Sequence, residues 1–357
     1  MSRATLGVAL VDTMNEDGFS ALKTQVGGHP GIQNSADGSL IAKPCLSAEL
    51  SFYQDIASNA ALAPLRPLVP KFYGTLSLHG KVAPSNGAES NQITIVPVPD
   101  VQQKESIVLE NVTNPFIKPA VLDIKLGTVL AEETATEEKK ERMAKAARET
   151  TSFETGIRLT GFQVYNHDTQ AFDVTDKKYG KSIKKTDLPD GMAKFLPVAT
   201  RDEDGQWHGQ GLPAPLLARV IDGLIARLRT IEKALQALEF RMVGASALVI
   251  YESDIPALEH ALEQYVPEDD DYELESDEDE DDEDDDEVDE QDIDKAEQSA
   301  ENARKKSDPI AKPYLVKLID FAHTHLTPGR GADEGVLLGL TTSISLLERR
   351  RAELEIE

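Results

Sequence analysis

The chain of 357 residues carries a single cysteine, Cys45, so no intramolecular disulfide can form and a reducing compartment is the expected setting. No apolar run approaches the ~20 residues that a membrane-spanning helix requires. The N-terminus lacks a basic segment followed by an apolar core, so a secretory leader is not expected. No acidic stretch has the EF-hand spacing with its turn glycine, which argues against calcium loops. No segment repeats at a fixed period. A soluble intracellular protein is the expectation, long enough for one large domain or two lobes with a substantial core.

Acid is abundant. The formal charge is -27, yet residues 268–294 alone hold 21 Asp or Glu and no Lys or Arg, which leaves a net of -6 for the rest. The acidity therefore belongs to an insert and not to the folded body. Like charges at that density repel one another and bury no apolar surface, so 266–310 is expected to be a disordered, solvated loop. The same stretch also reads as a docking surface for basic partners such as histones, basic transcription factors or an import factor.

Along the chain, 1–25 is expected to be a flexible lead-in. Turns at Gly27–Gly31 and Ser35–Ser39 precede a strand over Leu40–Lys43. Ala48–Ala61 has helical spacing, and strands are expected at Val69–Gly74 and Ile93–Pro97. These make a small sheet-dominated lobe over 26–112. A second lobe, 113–357, is expected to hold a helix over Thr136–Thr150 and a strand pair at Gly161–Tyr165 and Ala171–Val174. Pro215–Met242 predicts a long helix, with Leu217, Ile221, Leu224, Leu228, Ile231, Leu235 and Leu238 alternately four and three apart. That stripe reads as the core face of the lobe's main helix, with a coiled coil as the alternative. Strands at Ala247–Tyr251 and Tyr314–Ile319 and a closing helix over Gly335–Leu354 complete the expected α+β architecture.

The run from Pro119 to Gly127 is the most informative. On a strand, residues two apart share a face, so Asp123 and Lys125 point one way while Leu122, Ile124 and Leu126 point into a core. Two opposite charges so placed suit phosphoryl transfer, which depends on positioning and charge stabilisation. They equally suit an ordinary surface ion pair on a half-exposed strand.

The string Pro-x-x-x-Asp-x-Lys-x-Gly resembles the signature of the inositol polyphosphate kinase family. Leu109–Thr113 is similar to that family's interlobe linker, and Tyr179–Ser182 also matches. Leu318–His323 resembles its metal-binding Ile-Asp-Phe element, and Asp333–Gly335 opens the last helix as the family does. The matches run in family order from about residue 26 to 347, and the multikinase branch of fungal type resembles the chain most. The resemblance implies a two-lobed fold with a protein-kinase-like ATP cleft. It implies ATP- and magnesium-dependent phosphorylation of inositol 1,4,5-trisphosphate to tetrakis- and pentakisphosphates. A hexakisphosphate kinase is the alternative enzyme, and an acidic nuclear scaffold the alternative of another class.

The resemblance also implies roles. Lys43 would reach the ATP phosphates, while Glu110 and Val112 would hold adenine through a carbonyl and an amide. Asp123 would orient the acceptor hydroxyl, and Lys125 would touch the transferring phosphate. Asp320 would bind magnesium. Ser246 would assist it, although the family's Ser-Ser-Leu-Leu stands here as Ala245, Ser246, Ala247 and Leu248. Substrate phosphates would meet Lys139, Arg142, Lys145 and Arg148 on the 136–150 helix, with Lys181 and His323 from elsewhere. A solvated helix, its cations paired with Glu137, Glu138, Glu141 and Glu149, is the competing view. His323 and His325 without nearby acids or cysteines make a weak metal site. The expected setting is a monomer in nucleus and cytoplasm, binding no nucleic acid directly, with basic nuclear proteins as partners of 268–294.

Overall fold

Turn residues and alternating apolar positions build the first third of the chain into an antiparallel sheet. In the computed structural model, described for residues 20–21, 31–77, 80–82, 95–97, 105–265 and 312–355, the elements follow in order. They are β1 (Ser20–Ala21), β2 (Gln33–Asn34), β3 (Leu40–Pro44), α1 (Ser47–Ser58), a 3-10 helix (Ala60–Leu68), β4 (Phe72–Ser77), β5 (Gly80–Val82), β6 (Ile95–Pro97) and β7 (Glu105–Glu110). The first sheet has the order β1-β2-β3-β7-β4, and β5 pairs with β6. The helix expected to reach Ala61 stops at Ser58. Asn59 turns extended and its side chain accepts from the Ala61 amide, and Pro64 and Pro67 cannot donate α-helical bonds, so the chain continues as the tighter 3-10 form.

The second region contains β8 (Pro119–Leu126), α2 (Glu137–Glu149), α3 (Ser152–Thr155), β9 (Ile157–Asn166), β10 (Ala171–Thr175), α4 (Lys177–Ser182) and α5 (Leu188–Phe195). There follow β11 (Thr200–Arg201), β12 (Trp207–His208), α6 (Ala214–Gln236), β13 (Phe240–Met242), β14 (Ser246–Glu252), α7 (Ile255–Gln264), β15 (Tyr314–Ile319), β16 (Thr324–Leu326) and α8 (Glu334–Glu353). The central sheet, β10-β9-β8-β14-β15, is antiparallel throughout. Leu122, Ile124 and Leu126 are fully buried and join Leu217, Ile221, Leu224 and Leu228 of α6 in one core, as the alternation predicts. The leucine stripe is thus a core face and not a coiled-coil seam. The helix, however, ends at Gln236, and Phe240–Met242 pairs antiparallel with Thr324–Leu326. Leu235 and Leu238 are both buried, so apolar spacing continued past the point where the backbone changed form. A Cβ on Gly223 would lie 1.9 Å from the Tyr314 ring, so glycine lets α6 pack hard against β15.

Both regions share a continuous apolar core. Phe52, Tyr53 and Ile56 of α1, with Leu62 and Leu65 of the 3-10 helix, belong to the same buried cluster as α6 and α8. The Phe52 and Phe321 rings lie 5.1 Å apart, and Lys317 donates to the Pro67 carbonyl at 2.6 Å. The link between the sheets is pinned at both ends. The Asn111 side chain donates to the Gly38 carbonyl and accepts from the Thr113 hydroxyl, each at 2.8 Å. The buried Glu252 carboxylate accepts from the amides of Ile117 at 2.6 Å and Lys118 at 2.8 Å. Satisfying both carboxylate oxygens in this way removes the penalty that a lone buried acid would carry. The architecture is the α+β one expected, sheet-rich first and helix-rich second. The acidic segment 266–310 and most of 1–25 lie outside the described residues. Among the described residues no helix is long and apolar enough to cross a membrane.

Candidate active site

The strand register decides which side chains meet. Across the central sheet, Lys125 faces Ser246 on β14 and Arg158 on β9, and Ser246 faces Ile319 on β15. Asp123 faces Leu248 and Gly161. Directly opposed residues share a face, so Arg158, Lys125, Ser246 and Asp123 all project to the side away from α6 and α8. The ladder slips between Asp123 and Ile124, whose partners are Gly161 and Leu159, so Thr160 is left over. Such bulges re-aim side chains and recur beside active sites. Here the Thr160 hydroxyl is buried with no hydrogen-bond partner among the described residues, and so is Oδ1 of Asp123.

Asp123 is 3% exposed, which excludes the surface ion pair that its strand pattern also allowed. Burial pushes its carboxyl up to about 6, and the Asp320 charge acts in the same direction, against a hydrogen bond from Ser246 and the charges of Lys125 and Arg158. Lys125 does not close onto Asp123. Its ammonium donates to the Gly244 carbonyl at 2.7 Å, and burial lowers its pKa against the pull of Asp123 and Asp320. Arg158 is lowered by burial likewise, with Asp123 opposing.

Asp320 follows the last residue of β15 in the left-handed region, φ 67, a conformation that aspartate tolerates better than most residues. There its carboxylate meets Lys43 from β3 at 2.5 Å, and the same ammonium holds Glu49 of α1 at 2.7 Å. Burial alone would lower the Lys43 pKa, but the two carboxylates outweigh it and raise it. This three-membered link joins the first sheet, α1 and the end of the central sheet. The Tyr53 hydroxyl is buried nearby without a partner among the described residues, and burial, Glu49 and Asp320 drive its pKa well up. Three cations (Lys43, Lys125 and Arg158) and three oxygen-bearing side chains (Asp123, Asp320 and Ser246) therefore gather in one place. Such a set suits a phosphate chain together with a hard divalent ion.

The other expected site residues divide. Glu110 and Val112 flank the anchored Asn111 at the end of β7; the Glu110 carboxylate accepts from the Lys71 amide at 3.2 Å, and the Val112 side chain is buried against Phe116 and Ile250. On α2, Thr136 caps the helix by accepting from the Lys139 amide. Arg142, Lys145 and Arg148 are exposed. Lys145 pairs loosely with Glu149 at 3.7 Å and Lys140 with Glu137 at 2.8 Å. Among the described residues no carboxylate lies within ion-pair distance of Lys139, Arg142, Arg148 or Lys181. The competing view of a helix whose cations are paired off thus holds only in part. His323 pairs with Glu132 at 3.1 Å, and no group of three His, Cys, Asp or Glu side chains forms an all-protein metal cage among the described residues. Sequence reasoning missed Arg158, Thr160, Glu49 and Tyr53. Only Arg158 left a trace, as a cation alternating with Ile157 and Leu159 on a strand.

Against this geometry the relatives are informative. The inositol polyphosphate kinase family model matches residues 106–348. The inositol polyphosphate multikinase of Saccharomyces cerevisiae is 29% identical over 371 residues, covering 94% of this chain and 99% of its own. Mouse inositol hexakisphosphate kinase 3 is 29% identical over 159 residues, 44% of this chain and 37% of its own. The crystal structure of a yeast inositol phosphate multikinase, solved with ADP and Mn2+, superposes with a TM-score of 0.56 at 23% identity, covering 88% of this chain and 99% of that one. The last of these shows a shared fold.

Proposed function

Since the chain belongs to the inositol polyphosphate kinase family and is an ATP-dependent inositol phosphate kinase, we propose that it is a multikinase. It takes inositol 1,4,5-trisphosphate to the tetrakis- and pentakisphosphates with magnesium as the ion. The observation that carries this reading is the end-to-end correspondence with the yeast multikinase. The cleft chemistry supports it.

Phosphoryl transfer needs the acceptor hydroxyl, the γ-phosphate and the leaving oxygen held in line, with little covalent work for the protein. Asp123, with its carboxyl near 6, is ionised at neutral pH and basic enough to orient the hydroxyl and accept its proton. Lys125 stands two residues on, on the same face, and meets the charge on the transferring group. Lys43 holds the nucleotide phosphates, and Glu110 and Val112 offer main-chain groups to adenine. Asp320 and Ser246, with the unpartnered Oδ1 of Asp123 nearby, present the oxygen donors that magnesium accepts when nucleotide phosphates complete its shell. The ion's contribution there is neutralisation of phosphate charge. Lys139, Arg142, Lys145 and Arg148 hold the substrate's other phosphates, with Lys181 and His323 from outside the helix.

The test is turnover of ATP and magnesium with inositol 1,4,5-trisphosphate and, separately, hexakisphosphate. Passage of trisphosphate through tetrakis- to pentakisphosphate is expected. Turnover of hexakisphosphate alone would move the chain to the pyrophosphate-forming branch. The 21 acids within residues 268–294 favour a second role, docking of basic nuclear proteins by a monomer resident in nucleus and cytoplasm. Deleting residues 268–294 should spare catalysis and abolish that binding, and loss of turnover from folded protein would refute the division.

A further inference from the structure

His323 lies just before β16 and Arg330 in the turn after it, and they are held by consecutive glutamates from the segment joining β8 to α2. Nδ1 of His323 lies 3.1 Å from Oε1 of Glu132. Arg330 grips both oxygens of Glu133, at 2.6 and 3.1 Å. The His323 main chain is fixed next to the segment that holds Lys125. Its carbonyl accepts from the Val243 amide at 3.1 Å, and the neighbouring Gly244 carbonyl takes the Lys125 ammonium at 2.7 Å. The imidazole that Glu132 occupies thus belongs to the same small group of segments as a site cation. A carboxylate at the edge of a site for a dense polyanion repels that ligand, and nothing in the phosphoryl-transfer chemistry uses it.

We propose that Glu132 is an internal competitor for the substrate's phosphates, occupying His323 in the free enzyme and yielding it when an inositol phosphate enters. It thereby sets how much negative charge a ligand must bring in order to bind. This rests on the reading of His323 as a phosphate contact. Carboxylate and phosphate oxygens accept from the same imidazole N–H. A phosphate monoester carries about -1.5 to -2 at neutral pH, so it displaces a single carboxylate where a weakly charged ligand does not. The Glu133–Arg330 pair lies farther out, with the Glu133 side chain 70% exposed, and anchors the segment from which Glu132 swings.

Glu132→Gln keeps the size and removes the charge. By calorimetry and steady-state kinetics, Kd and KM for inositol 1,4,5-trisphosphate should fall about three- to fivefold, the worth of one partly exposed charge. The change should fall on KM rather than kcat and shrink as salt is raised. In a His323→Ala background the same replacement should lose most of its effect, since the two residues act as a pair. An unchanged or higher KM, or an effect of the same size without His323, would overturn the competitor. If wild-type protein turned over no inositol phosphate, the proposed function would fall and take this inference with it. Normal turnover with an indifferent Glu132→Gln variant would remove this inference alone.

Discussion

The charges around Asp320 are buried and already hold one another, whereas those along α2 stand in water with most of their bonding capacity open. Lys43 is tied to two carboxylates at 2.5 and 2.7 Å. Arg142 and Arg148 are exposed and have no acidic partner among the described residues. Under the proposed roles, the difference follows from what each group must do. Groups that act on the reacting atoms need fixed positions and a low local dielectric, which burial and mutual pairing supply. Groups that recognise a soluble polyanion need to be reachable, and pre-paired cations would have to break those contacts first. His323 stands between the two classes, half-exposed but engaged by Glu132.

This contrast makes predictions that differ in size. The largest concerns Asp123→Asn, which should cut kcat by about a thousandfold, within the range of a lost general base, while the fold survives. A tenfold loss or less in a coupled ADP-release assay would take the chemistry away from this strand. Next is Lys43→Met, which leaves the buried Glu49 and the partly buried Asp320 without their cation. Unfolding in urea should show a loss of about 3–5 kcal/mol. A change below about 1 kcal/mol would mean that the pair behaves as a surface one.

The third effect runs the other way. The folded Asp123 value of about 6 exceeds the ordinary 3.8, so the unfolded chain ionises first. Stability associated with the neutral carboxyl is then complete below pH 3.8 and lost as pH rises to about 6. In ligand-free protein at pH 8, Asp123→Asn should therefore be more stable than wild type by roughly 3 kcal/mol, with the gap closing by pH 4 in paired thermal melts. A variant less stable at pH 8 would contradict this. For the same reason wild-type kcat/KM should decline as pH falls through about 6. The smallest stability effect belongs to Arg142→Ala and Arg148→Ala. Each should raise KM about tenfold, the worth of a charge-assisted hydrogen bond, yet shift stability by no more than about 0.5 kcal/mol. If either variant unfolded markedly earlier, these arginines would belong to the structural class.

Much of this arrangement was legible along the chain. The alternation from Leu122 to Leu126, the buried leucine stripe of α6 and the α2 helix are local patterns, and all three formed, α2 within one residue of its expected bounds. The end of α6 was not legible, because Leu235 and Leu238 stay buried on both sides of the break at Gln236 and apolar spacing alone carries no stop signal there. Glu49 and Tyr53 looked like ordinary residues of an amphipathic helix. Thr160 gained meaning only from a slip in the pairing of two strands.

The sequence by itself determined that Asp123 and Lys125 share a strand face, because side-chain alternation is set by backbone geometry within a few residues. It also determined the concentration of acid in 268–294 and of cations along α2. Only the tertiary structure decided that Asp123 would be buried enough to raise its pKa, that Lys43 would meet a carboxylate 277 positions away, and that Glu132 would hold His323. Burial and ion pairing depend on which distant segments pack together, and no local period carries that information.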